Sequence, residues 1–142
     1  AFKAAKLVND QVIARFSHAT LPCNENENLL HGISHFSGDN QVHALIDTAV
    51  WYPECVGDRV SGHIGVTFKK TNNVNSLIAG KHVIFNFQSS TFGGQLHYMG
   101  CFTDIGSTLA GDQGPPDDAH SHHMSGCRYY TSVNPVTGDL AE

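Results

Sequence analysis

Residues 117–127, DDAHSHHMSGC, place two carboxylates, three imidazoles and a thiol within eleven positions. In an extended chain His120 and His122 point to one side, because side chains alternate. In a helical turn His120 and His123 meet at the three-residue step. Either arrangement offers two imidazole nitrogens to one ion, and Asp118 or its neighbour Asp117 adds an oxygen. A strand histidine such as His97 or His63 is placed to close the shell. Zinc suits this donor set, with copper and nickel as competing divalent transition metals. The spacing lacks the H-E-x-x-H pattern of a hydrolytic zinc helix. A solvated polar loop accounts for the same residues. The segment therefore reads as a His-rich, candidate metal-binding loop with His120, His122, His123 and Asp118 as ligands.

A second constellation lies on expected strands. His63 and His97 fall on the face opposite the large apolar residues, and Glu54 and Arg59 flank them in the turn WYPECVGDRV. If these four converged, they would suit RNA cleavage by general acid–base catalysis. One group would take the 2′-hydroxyl proton, another would protonate the leaving oxygen, and the guanidinium would steady the phosphorane. Nothing in their spacing enforces that convergence, and an ordinary solvent face is the simpler expectation. His31 and His35 share a face only on a helix, which Gly32 and Ile33 disfavour. The chain has ten histidines, so protonating all of them would carry its net charge from −5 to +5. No other unperturbed side chain changes charge between pH 5 and 8.

Aromatic residues near the cysteines mark possible contact surfaces. Trp51 reads as core, whereas Tyr129 and Tyr130 follow Cys127 on a strand whose alternation turns one of them outward. An outward ring would anchor a protein partner or stack on a sugar.

The elements that must position these groups follow from periodicity. Phe2, Ala5, Val8, Val12, Ile13 and Phe16 recur at helical steps, so residues 1–21 are expected to form a helix that Pro22 ends. CNENENLLHGI suits a short second turn capped by Asn24, or a loop. From residue 41 the period becomes two. QVHALIDTAVWY would place Val42, Ala44, Ile46, Thr48 and Val50 on one side. RVSGHIGVTFKK would turn Val60, Ile64, Val66 and Phe68 inward. KHVIFNFQ, GGQLHYMGCF and MSGCRYYTSV complete about five strands, with a polar loop before the last. Sequential strands on short connections pair antiparallel. The expected fold is α+β: one domain spanning residues 1–142, with the N-terminal helix packed on a curved antiparallel sheet. A β-sandwich with an appended helix is the alternative.

Composition bounds the function. Hydrophobic residues make up 40% of the 142, enough for a core, while charged residues make up only 15% against the usual quarter. A net charge of −5 argues against binding nucleic acid through its phosphates. No apolar run is long enough to span a bilayer. Cys23, Cys55, Cys101 and Cys127 contain no C-x-x-C pair, so two disulfides in a secreted protein are expected, with three pairings open. The start at Ala1 rather than Met agrees with a processed product. The sequence therefore reads as a small secreted, disulfide-stabilised interaction protein, effector-, toxin- or lectin-like, with a protein or carbohydrate target. The competing class is a secreted hydrolase, metal-assisted or ribonuclease-like.

Overall fold

The computed structural model describes residues 3–30, 36, 40–70, 78–89, 95–105 and 124–127. It is an α+β fold dominated by sheet. Helix α1 (Lys3–Phe16) precedes β1 (Glu27–Asn28), the short helix α2 (Asn40–Leu45), β2 (Ile46–Pro53), β3 (Ser61–Phe68), β4 (His82–Ser89), β5 (Leu96–Thr103) and β6 (Ser125–Gly126). The strands form one open antiparallel sheet in sequence order, β1 to β6. Four of them are eight residues long, and the outermost two contribute two residues each. No helix among the described residues is long and apolar enough to cross a membrane.

The apolar stripe of α1 forms for the expected reason. Ala5, Val8, Val12 and Phe16 are buried in one cluster with Trp51, Ile64, Val66, Phe68, Val83, Phe85, Phe87 and Leu96 from the sheet. On the helix's exposed side Lys6 pairs with Asp10 at 3.0 Å, the favourable four-residue step. The helix ends five residues before the expected stop. His18 adopts φ +70°, a left-handed conformation that breaks the helix, and its N–H donates to the Leu96 carbonyl at 2.7 Å. The Leu96 N–H returns a bond to the Ala19 carbonyl at 3.1 Å, so the chain leaving α1 is tied to the start of β5.

Two expectations upstream of β3 are corrected. Residues 40–45 are helical rather than extended, and a register irregularity between Ile46 and Thr48 interrupts the alternation of β2. The extra residue, exposed Asp47, shifts the inward set from Val50 to Ala49 and Trp51. In CNENENLL, Glu27 and Asn28 pair with Trp51 and Val50 instead of forming a helical turn. The Leu30 N–H then donates to Asn28 Oδ1 at 3.0 Å, an Asx-type turn.

Trp51 is core, as expected, and its Nε1–H donates to the Pro22 carbonyl at 2.7 Å. Gly62 lies under its ring, leaving no room for a Cβ. GDR is a hairpin turn: Val56 and Arg59 exchange both backbone bonds, and Gly57 takes φ +56° at the first central position. Of the three possible cysteine pairings, the structure has Cys23–Cys55 and Cys101–Cys127. The first ties the segment after α1 to the end of β2, and the second ties β5 to the segment after β6.

Candidate functional site

The inward residues of β3 are Ile64, Val66 and Phe68. Alternation therefore gives the other face Ser61, His63, Gly65 and Thr67. Directly opposite partners share a face, so Tyr52 on β2 and Ile84, Asn86 and Gln88 on β4 belong to it as well. His97, Gly100 and Phe102 continue it on β5. This face carries imidazole, amide, hydroxyl and aromatic groups, but His63, Gly65 and Ile84 at its centre are buried, and its exposed side chains lie on β5 at His97 and Phe102.

Tyr52 and His63 are register partners, with ring centroids 5.1 Å apart and planes tilted by 31°. Glu54 Oε1 lies 3.2 Å from His63 Nδ1. The Glu54 backbone is fixed by its N–H donating to the Ser61 carbonyl at 2.7 Å and by Ser61 Oγ donating to the Glu54 carbonyl at 2.6 Å. His63 was expected on an open solvent surface, yet its side chain is only 6% exposed, against 66% for Glu54. Tyr52 on one side and Gly65 at the next outer position leave the ring packed close to the sheet. The exposed carboxylate makes this a weak ion pair when the imidazole is protonated.

The other two members of the expected catalytic group lie elsewhere. His97 pairs with Gln88 on β4, which in turn pairs with Ser61. It therefore shares the outer face with His63 as expected, but a whole strand separates them, roughly 10 Å at the usual strand spacing. Arg59 sits on the exposed hairpin turn and makes no ion pair with Glu54 among the described residues. So the structure brings Glu54 to His63 and leaves His97 and Arg59 apart from them. His97 instead faces His18, with ring centroids 5.5 Å apart and planes at 86°.

A buried pair that sequence reading missed joins the start of β4 to the end of β5. Asp104 Oδ1 accepts the His82 backbone N–H at 2.6 Å, and Oδ2 lies 2.9 Å from His82 Nδ1. Thr103 Oγ1 donates to the His82 carbonyl at 2.7 Å and accepts the Ile105 N–H at 3.1 Å. Both side chains are buried. An ionised carboxylate only accepts, so in this bond the proton sits on Nδ1 and the ring orientation is fixed. The arrangement pins the strand ends. It is also how a histidine is oriented in many catalytic and metal sites. The two residues lie 22 apart in sequence, and only the β4–β5 register brings them together.

Among the described residues three apolar side chains stand out at the surface: Val56 at the hairpin turn, and Met99 and Phe102 on β5, at 62% and 40% exposed. Tyr98, just before Met99 on β5, packs its ring against Phe87 at 5.7 Å, and burial raises its phenol above the usual value.

The expected metal ligands His120, His122, His123 and Asp118 lie outside the described residues, as do Asp117, Tyr129, Tyr130, His31 and His35. Among the described residues no group of three or more His, Cys, Asp or Glu side chains gathers to hold an ion. The fold places the protein among α+β domains with an open antiparallel sheet. No protein-family model matches the chain, and no curated protein and no solved structure matches it.

Proposed function

We propose that this chain is a small secreted interaction protein that binds a protein partner through the outer face of its sheet. In this reading the sheet curves around α1, and the two disulfides hold the display surface rigid outside the cell. The observation that carries it is the exposure of Met99 and Phe102 on β5, beside the amides of Asn86 and Gln88 on the same sheet. Methionine and aromatic side chains are enriched in protein interfaces, where a few apolar anchors carry most of the affinity. The acidic net charge of −5 favours a protein over a nucleic acid.

Carbohydrate binding is the less favoured target class, because the Tyr52 ring is already engaged with His63. The hydrolase reading is weakened by the burial of the His63 ring. A general acid or base must reach its substrate within hydrogen-bond distance, and His97 stands a strand away. The His120–His123 segment remains part of the proposal as a candidate zinc-binding loop.

Photocrosslinking from position 99, with position 56 as an exposed control, tests the binding face. The captured partner is then purified and its affinity measured against Phe102→Ala. The expected result is capture from position 99 only and a loss of affinity of roughly thirtyfold, the size of a hot-spot truncation of about 2 kcal/mol. Equal capture from both positions, or unchanged affinity, overturns the proposed face. Glycan binding or RNA cleavage that Phe102→Ala leaves intact would place the protein in one of the other two classes.

A further inference from the structure

The His18–His97 contact is long-range, exposed and held by the backbone rather than by packing. His18 ends α1 with φ +70°, a conformation that ordinarily selects glycine. A β-carbon is tolerated there at an energetic cost, and such outliers concentrate where a side chain has a task. Here the left-handed residue directs the chain toward β5. Its own N–H donates to the Leu96 carbonyl at 2.7 Å, and the Leu96 N–H donates to the Ala19 carbonyl at 3.1 Å. These two bonds clamp the backbone of residues 18 and 19 beside Leu96, the immediate neighbour of His97. Both imidazoles are exposed, and their centroids lie 5.5 Å apart with the rings nearly perpendicular.

That spacing has a chemical meaning. A tetrahedral ion that takes two imidazole nitrogens at ~2.1 Å holds the two ring centroids roughly 5 Å apart. The rings need not be coplanar with each other, since each donates in its own plane. We propose that His18 and His97 form a two-imidazole site for a divalent transition-metal ion, zinc or copper(II), with water completing the coordination. The site draws on neither His120, His122 nor His123, and His97 places it on the outer face of the sheet. The paired backbone bonds hold the two chain segments side by side, so the imidazoles start close together before the ion arrives. Two open coordination positions make it a site of modest affinity that a ligand from outside the chain can complete.

Calorimetric zinc titration of the full oxidised chain tests this, together with copper(II) broadening of assigned histidine ring protons. Two single variants remove one ligand each. His18→Gly deletes the imidazole while supplying the residue the left-handed backbone prefers, so it is expected to keep or raise thermal stability. His97→Gln changes an exposed strand position. A third variant replaces His120, His122 and His123 with glutamine. The expected result is that His18→Gly and His97→Gln each weaken zinc binding at this site at least tenfold. Substoichiometric copper should broaden the His18 and His97 resonances, and the loop variant should leave both effects in place. Zinc affinity unchanged by both single variants, or copper broadening confined to residues 120–123, overturns the assignment.

Discussion

Replacing Asp104 tests how far the sheet depends on a single buried carboxylate. Asp104→Ala deletes two acceptors at once, the one facing the His82 N–H at 2.6 Å and the one facing His82 Nδ1 at 2.9 Å. The backbone donor is buried, and leaving such a group unsatisfied costs about 1–3 kcal/mol, while a hydrogen bond to a charged partner contributes about 1.5–3 kcal/mol. Together these give a loss of about 2.5–6 kcal/mol, which brackets the roughly 3–5 kcal/mol expected when one member of a buried pair is removed. At a urea m-value of about 2 kcal/mol/M, the unfolding midpoint falls by roughly 2 M with m unchanged. Asp104→Asn separates the two bonds. Its carbonyl can still accept the His82 N–H, but its amide donates, so the ring must move its proton to Nε2. Asparagine should therefore cost about half as much as alanine, and the nitrogen chemical shifts of His82 should report the change of tautomer. An alanine variant that unfolds within about 0.5 kcal/mol of the parent would refute the reasoning, because such surface-like changes are all that removing a solvated group produces.

Gly62→Ala would put a Cβ 2.6 Å from Cη2 of Trp51 and too close to the Tyr52 carbonyl, which belongs to the sheet ladder and cannot yield. The expected overpacking cost is about 1–3 kcal/mol, seen as a fall in Tm of roughly 4–10 °C with an altered near-ultraviolet tryptophan signal. For Tyr98, burial disfavours the phenolate, so its folded-state pKa lies above the ordinary value of 10.0. The unfolded chain then ionises first, and the stability held by the neutral ring is complete below pH ~10 and is lost as pH rises toward the folded value. Spectrophotometric titration should find a phenol titrating late in the folded protein, and Tyr98→Phe should remove that phase.

Where a pattern was local, the chain declared it. The α1 stripe of Ala5, Val8, Val12 and Phe16 needs only the helical repeat, and Ile64, Val66 and Phe68 need only alternation. The Gly57–Asp58 turn followed from turn chemistry between two strand-like runs. Errors arose where distant pairing decides. Residues 40–45 alternate like a strand yet coil, and the irregularity at Asp47 moves Trp51 rather than Val50 into the core. Neither is visible without β3 alongside. The end of α1 was misjudged because His18 is taken up by Leu96, 78 residues later, rather than by a local stop at Pro22. The same limit hid the sites. Cys23 meets Cys55, His82 meets Asp104 and His18 meets His97 only once strand order and register are known. Of the acid–base group, alternation correctly put His63 and His97 on one face. It did not reveal the intervening β4 or the burial of His63.

The proposed export of this chain, with the disulfide pairing of the structure, makes one demand that can be checked directly. The protein is recovered from its native source under acid with thiols trapped by an alkylating reagent, then digested without reduction and mapped by mass spectrometry. The account predicts no alkylated cysteine and two crosslinked peptide pairs, one joining Cys23 to Cys55 and the other Cys101 to Cys127. Four alkylated cysteines would contradict secretion, and any other pairing would contradict the strand order on which the binding face and both histidine pairs rest.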